Sequence, residues 1–204
     1  MIVHADDAIV VVDKPAGLPS VPGRAAGLQD CAAQRVQAVH PDALVVHRLD
    51  MATSGLLLFA RGADVQRRLS RAFATRAVDK RYVAVVAGRL ADERGEIDLP
   101  LAADWPNRPR QVVDHERGKP SLTRYAVLAR DAHTTRVALE PLTGRSHQLR
   151  VHLAAIGHAI LGDTLYAGAN AQSAAPRLLL HASMLGFVHP HDGRRFEIES
   201  TAPF

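Results

Sequence analysis

The sequence is short of the features that mark several large protein classes. It has one cysteine, Cys31, in 204 residues. A single thiol excludes an intrachain disulfide and a cysteine cluster for zinc or iron–sulfur. On its own, Cys31 reads as a small buried residue. The first residues, Met1-Ile2-Val3-His4-Ala5-Asp6-Asp7, carry acid where a secretory signal carries base. No apolar run approaches the length of a membrane span. A soluble, cytoplasmic protein is therefore expected. Internal repeats, low-complexity tracts and linkers are absent, so residues 1–204 read as a single domain. The glycines of Gly17–Gly27 are not followed by Gly-Lys-Ser/Thr, which excludes a P-loop. His147 and His152 are five residues apart, not four, so they do not make the helical zinc pair. Adjacent Ser146 and His147 do not make a triad, whose members meet in space. The 25 basic and 21 acidic residues give a net charge of +4. That mild bias permits a nucleic-acid partner without demanding one.

What is present is mostly strand. Ala8–Val12 is apolar and β-branched and reads as a buried strand. Lys14 to Gly23 holds three prolines and two glycines and predicts a long loop with several turns. A helix is expected from about Leu28 to Val39, before Pro41. Leu44–Arg48 reads as a strand that delivers Asp50 to its end, and Gly55–Ala60 as the next strand. Asp64–Thr75 has Val65, Leu69, Ala72 and Phe73 on one face and arginines on the other, which predicts an amphipathic helix. Between Arg61 and Arg81 there are seven basic and two acidic residues, the strongest local charge excess in the chain. Further strands are expected at Lys80–Leu90, from Gly95, at Ser121–Ala129, Thr135–Leu139, Arg177–Met184 and Arg195–Ile198. Ser146–Ile156 has helical spacing, with Gly157 at its C-terminus. Asp104–Arg110 is an irregular, basic, aromatic loop. Strands outnumber helices without alternating with them, which argues for an α+β domain around a mixed, mostly antiparallel sheet.

Three blocks can carry chemistry. The first is His47-Arg48-Leu49-Asp50 with Met51-Ala52-Thr53-Ser54-Gly55 and an apolar run behind it. Asp50 alone fits a turn former or a surface ion-pair partner as well as a functional carboxylate. On a strand, Arg48 would share its face and hold it charged. His47 reads as a structural or RNA-contacting residue, not a base. The second block is Thr143-Gly144-Arg145-Ser146-His147-Gln148-Leu149-Arg150-Val151-His152. Cations at a helix start oppose the macrodipole, so Arg145 and Arg150 call for an anionic partner, a carboxylate or an RNA phosphate. Ser146 is the expected capping residue. The third is Lys80-Arg81-Tyr82, where a tyrosine on a strand also fits half-buried core.

In order and approximate spacing, these blocks resemble the RluA family of pseudouridine synthases. The resemblance runs from about Ile9 to the C-terminus. It includes Asp13-Lys14-Pro15-Ala16-Gly17-Leu18, His158–Asp163 and Arg177–Ala182, with Asp13 where the family commonly has asparagine. It implies the pseudouridine synthase fold, with Asp50 as nucleophile, Tyr82 packing on the target uracil and Arg150 as the cation paired with Asp50. It gives Arg48 the gap left by a flipped uridine, and places Leu179 or a neighbour against the base pocket. The reaction moves the ribose bond from N1 to C5 of the same ring without redox change, so no cofactor and no metal is required. Whether the carboxylate attacks the sugar or ring C6 stays open. The chain looks most like the RluA branch proper, without the S4 domain many relatives carry. That branch modifies a loop uridine of 23S rRNA and one in the tRNA anticodon stem-loop. A monomer acting on RNA, with no membrane contact, is expected. The alternatives are a synthase with a different rRNA or tRNA target, a glycosylase acting on the same bond, and a non-catalytic RNA-binding module.

Overall fold

The computed structural model describes residues 1–23 and 29–204. Arg24 and Leu28, from the expected loop and helix start, lie outside them. The chain divides into two compact units, one of Met1–Lys80 with His181–Pro203 and one of Arg81–Leu180 with Phe204.

In chain order the first unit begins with β1 (Ile2–Ala5), β2 (Ile9–Lys14), α1 (Ala32–Gln37), β3 (Ala43–Val45), β4 (Ser54–Arg61) and α2 (Ala63–Ala74). The second follows with β5 (Asp79–Ala87), β6 (Arg94–Asp98), β7 (Leu101–Ala103), β8 (Gln111–Val113), β9 (Leu122–Arg130), β10 (Thr134–Pro141), α3 (Gln148–Ala155) and α4 (Ala169–Ser173). The chain then returns to the first unit for β11 (Leu180–Val188) and β12 (Arg195–Glu199).

In the first unit β2 pairs antiparallel with β1 and β4, β3 with β4, and β12 with β11. β4 and β11 run parallel, with His181 opposite Ser54 and Ala182 opposite Gly55. This one parallel pair makes the sheet mixed. The core cluster joins Ile9 and Val11 of β2 and Leu56, Leu58 and Ala60 of β4 to Val65 and Leu69 of α2. Ala72 and Phe73 pack at its margin, so the helix buries the face its periodicity predicted. Burying each large side chain contributes about 1.5–3 kcal/mol. Asp6 turns the chain between β1 and β2, its Oδ1 accepting from the amides of Ala8 (2.7 Å) and Ile9 (2.9 Å).

The second unit orders its strands β5-β10-β9-β6, all antiparallel. β10 alternates buried and half-buried residues, as a strand with one core face must. Residues 148–153 of α3 are all buried, polar ones included, so this helix has no solvent face along that stretch. β7 and β8 form a separate two-stranded ribbon closed by the Asp104–Arg110 loop.

Gly55 is the one glycine of the first chemical block, and the fold requires it. Its φ is +111°, and a Cβ there would lie 2.3 Å from the carbonyl oxygen of Ala182, a backbone atom that cannot swing aside. Gly55→Ala is expected to lower stability by more than about 1 kcal/mol, because strain and overlap act together. A melting temperature unchanged from wild type would contradict this reading.

Several expectations need correction. α1 begins at Ala32, with the Cys31 sulfur accepting from the Gln34 amide, so residues 29–31 are not helical. β3 stops at Val45, and residues 46–50 are irregular. Asp50 is therefore delivered by a loop, and strand alternation cannot place Arg48 on its face. Strands β1, β7 and β8 were not anticipated from the sequence.

Candidate active site

The segment before Asp50 leaves the sheet because a side chain takes over from the backbone. His47 Nε2 accepts from the Leu58 amide of β4 at 3.0 Å, while the ring stacks on Phe73 of α2 with centroids 4.4 Å apart. An acceptor nitrogen carries no proton. Burial, helped by the nearby charge of Lys80, pushes the His47 pKa down to about 3, so the ring is neutral at physiological pH. The geometry gives His47 a structural task. Arg48 is exposed, Leu49 buried and Asp50 half-buried.

The backbone on both sides of Asp50 is clamped by the proline-rich loop. The Leu49 amide donates to Ser20 Oγ (3.0 Å), and that hydroxyl donates to the Leu49 carbonyl (2.7 Å). On the other side the Met51 carbonyl accepts from the Gly17 amide (2.8 Å) and from Lys14 Nζ (3.2 Å). The Asp50 carbonyl itself accepts from the Thr53 amide at 3.1 Å, closing the turn. Lys14 is fully buried, and its ammonium also donates to the carbonyls of Pro15 (2.9 Å) and Leu18 (2.8 Å). A buried ammonium must find such acceptors or carry a large desolvation cost. The Lys-Pro-Ala-Gly-Leu segment thus fixes the height at which Asp50 stands.

Behind the turn runs a chain of side-chain hydrogen bonds. Ser54 Oγ meets His181 Nδ1 at 2.9 Å, His181 Nε2 meets Ser200 Oγ at 3.1 Å, and Ser200 Oγ donates to Asp13 Oδ2 at 2.6 Å. The single Ser200 proton goes to the carboxylate, so Nε2–H donates to Ser200. Asp13 anchors this chain.

In the second unit, α3 places the second block. His147 caps the helix with a left-handed backbone, φ 54°, and its side chain makes no capping hydrogen bond, so Ser146 is not the cap. Gln148 does the organising instead. Its Oε1 accepts from Thr143 Oγ1 (2.7 Å) and the Arg145 amide (3.0 Å), and its Nε2 donates to the Leu122 carbonyl and to Thr123 Oγ1 (both 3.0 Å). Arg145 is exposed, its guanidinium 3.4 Å from the Pro120 carbonyl. His152 is wholly buried between Thr123 Oγ1 and the Leu99 carbonyl, each at 3.0 Å, a core histidine and not a ligand.

Arg150 finds a buried carboxylate one turn into the helix. Its Nε donates to Asp163 Oδ2 (2.8 Å) and its Nη2 to Asp163 Oδ1 (2.7 Å), with side-chain exposures of 4% and 1%. Asp163 Oδ1 also accepts from the amides of Leu165 (2.9 Å) and Tyr166 (3.1 Å). Burial alone would raise the Asp163 pKa. The Arg150 hydrogen bonds and charge, with the two amides, outweigh it and hold the group below the usual carboxylate range. The Tyr166 ring lies under the Arg150 guanidinium, 5.1 Å from its centroid. Its hydroxyl accepts from the Gln111 amide (2.8 Å) and is hydrogen-bonded to His147 Nδ1 (2.6 Å).

Tyr82 sits half-buried on β5 opposite Leu139 of β10. The half-buried Leu179 bonds through its carbonyl to the Val85 amide of β5 (3.2 Å) and through its amide to the Leu161 carbonyl (3.0 Å). Arg150, His147, Tyr166 and Asp163 therefore form one cluster in this unit, and Asp50 with its clamp forms another in the first. Within the basic stretch, Arg67 pairs with Asp64 and Arg68 donates to the Pro190 carbonyl at 2.9 Å. Sequence reasoning assigned no role to Asp163, Gln148, Tyr166 or His181. Asp163 and His181 stand in segments that carried the family resemblance, which was the available signal.

The first unit thus carries a carboxylate on a Thr-Ser-Gly turn whose neighbouring backbone is clamped, and the second a buried arginine paired with a carboxylate. The family model described as RNA pseudouridylate synthase matches residues 8–155, so the chain belongs to that family and is by class an isomerase. It is 50% identical over 205 residues to the Dual-specificity RNA pseudouridine synthase RluA of Escherichia coli (strain K12), covering 100% of this chain and 94% of that protein. It is 53% identical over 190 residues to the protein of the same name from Pasteurella multocida (strain Pm70), covering 93% and 87%. Among solved structures, Human RNA Pseudouridylate Synthase Domain Containing 1 matches with a TM-score of 0.83 at 29% identity, over 100% of this chain and 83% of that one.

Proposed function

We propose that the chain isomerises loop uridines in two RNAs, 23S rRNA and the tRNA anticodon stem-loop, working as one catalytic domain, a monomer, in the cytoplasm. The observation that carries the reading is identity of about one half along the full length to relatives whose name states dual specificity. Continuity of the family match through residues 8–155, which reach into both units, supports the single catalytic domain.

In this reading Asp50 is the nucleophile, attacking either the ribose or ring C6. Tyr82 packs its ring on the uracil, and Arg150 is the cation paired with Asp50. Arg48, exposed and one residue from the clamped Leu49, fills the gap left by the flipped base. Leu179 lines the base pocket, and Arg145 stands on the RNA side. The bond from C1′ to N1 breaks, the bond from C1′ to C5 forms, C5 loses its proton and N1 gains one. Extruding the base costs roughly a few kcal/mol, least in a loop, which suits loop uridines as targets. A compact enzyme serving two RNAs reads a shared loop shape.

The test is tritium release from RNA labelled at uridine C5, using a tRNA transcript and an rRNA fragment in parallel. Release from both supports the dual reading, and release from one alone assigns a single substrate. Free uracil without C5 tritium release would assign a glycosylase.

A further inference from the structure

The Asp104–Arg110 loop holds a feature that the chemistry above does not use. Trp105 is the only tryptophan of the chain and is 67% exposed. Among the described residues it is the sole aromatic in the set of exposed large apolar side chains. Single exposed apolar residues are common and need no explanation. This one differs because it is held, and because one face is already covered by a cation. The Arg108 guanidinium lies over the ring, 3.7 Å from its centroid, and the side chain still stays largely exposed.

The loop under it is tied at several points. The Asp104 amide donates to the Arg110 carbonyl (3.0 Å), the Asn107 amide to the Asp104 carbonyl (3.1 Å), and the Arg110 amide to the Asn107 carbonyl (3.0 Å). The Asn107 side chain closes onto the Asp104 carboxylate at 3.0 Å. Arg110 donates to the Leu165 carbonyl, and its guanidinium lies 5.6 Å from the Tyr166 ring centroid. The Gln111 amide ends on the hydroxyl of that same tyrosine. Tyr166 is the residue that packs beneath Arg150 and bonds His147. The loop is thereby fastened to the segment that orients the buried arginine.

We propose that Trp105 is a stacking platform for an unpaired base of the RNA substrate. The exposed indole takes the base. Arg108 beneath it adds cation–π attraction and a positive charge for the flanking phosphate. Stacking accepts any base, which fits an enzyme that reads two RNAs by loop shape. An anionic, single-stranded partner matches the two arginines of the loop, with Asp104 engaged by Asn107. The proposal rests on the RNA substrate reading given above.

A sole tryptophan supplies its own test. Wild-type enzyme is titrated with an anticodon stem-loop transcript, reading tryptophan fluorescence and, in parallel, the anisotropy of an end-labelled copy of the RNA. Quenching that saturates with the anisotropy is the expected result. Trp105→Ala should weaken binding roughly five- to a hundredfold, the range of one lost base stack. Trp105→Phe should recover most of it, and the single-turnover rate at saturating RNA should stay within about twofold of wild type. RNA that binds without quenching overturns the platform and leaves the substrate reading intact. RNA that does not bind at all overturns both. A Trp105→Ala variant that binds normally, or one whose only change is loss of concentration-dependent self-association, also overturns the proposal.

Discussion

Replacing Asp50 by asparagine is expected to remove tritium release almost completely, lowering the single-turnover rate by at least about a thousandfold, the scale on which loss of a nucleophile acts. Asparagine keeps the size of the side chain but lacks the charge and nucleophilicity. The backbone on either side of residue 50 is held by contacts from Ser20, Gly17, Lys14 and Thr53. They survive the change, so the variant should remain folded at the assay temperature. Binding of the RNA by filter retention should persist, because phosphate contacts dominate affinity. This split, with rate lost and fold and binding kept, separates a nucleophile from a turn former. Asparagine at position 50 with more than about a tenth of wild-type release would assign the attack to another group, since such a residue accounts for far more than tenfold.

Much of the framework was legible because it depends on periodicity. The apolar run behind Gly55 and the one-sided apolar stripe of residues 64–75 each declare a burial pattern, and β4 and α2 follow it. The hairpin of β9 and β10 was legible for the same reason. What periodicity cannot report is the substitution of a side chain for a backbone partner. Leu44–Arg48 reads as strand, yet the His47 ring takes the Leu58 amide and pairing ends at Val45. Short ribbons such as β7 and β8, three residues each, are below the length at which alternation is visible. The site divides in the same way. Asp50, Tyr82 and Arg150 came from motif resemblance, and the roles of the residues around them came only from three dimensions. Arg150 needed an anion by electrostatic argument, but that Asp163, thirteen residues on, supplies one is a fact of the chain's return and not of spacing. Ser146 looked like the helix cap by residue type. The cap fell instead to His147, whose backbone adopts φ 54° while Gln148 gathers the loose donors and acceptors around it.

Asp163→Ala is expected to be among the most damaging single changes for stability, costing about 3–5 kcal/mol, because it strands a buried guanidinium. Two amides, those of Leu165 and Tyr166, lose their acceptor at the same time. For a chain of this size each kcal/mol moves the melting temperature by about 2–4 °C, so a drop on the order of 10 °C is expected. The pH dependence carries the sign. The Asp163 pKa is depressed in the folded protein. Its stabilisation is therefore fully present above the unfolded carboxylate value near ~3.9, and is lost as pH falls through the lower folded value. The gap between wild type and Asp163→Asn should accordingly be widest near neutrality and narrow on acidification below about pH 4. A gap that stays constant across that range would mean that the charge is irrelevant and only side-chain packing was lost. Activity separates a further role from this one. If Asp163 does no more than hold the fold, a folded Asp163→Asn enzyme assayed well below its melting temperature should turn over normally. If Asp163 fixes the direction in which Arg150 points, the rate falls while RNA binding is retained. The bidentate geometry favours the second outcome, because a fork held at both Nε and Nη2 leaves the guanidinium one orientation, and an amide can match only half of it.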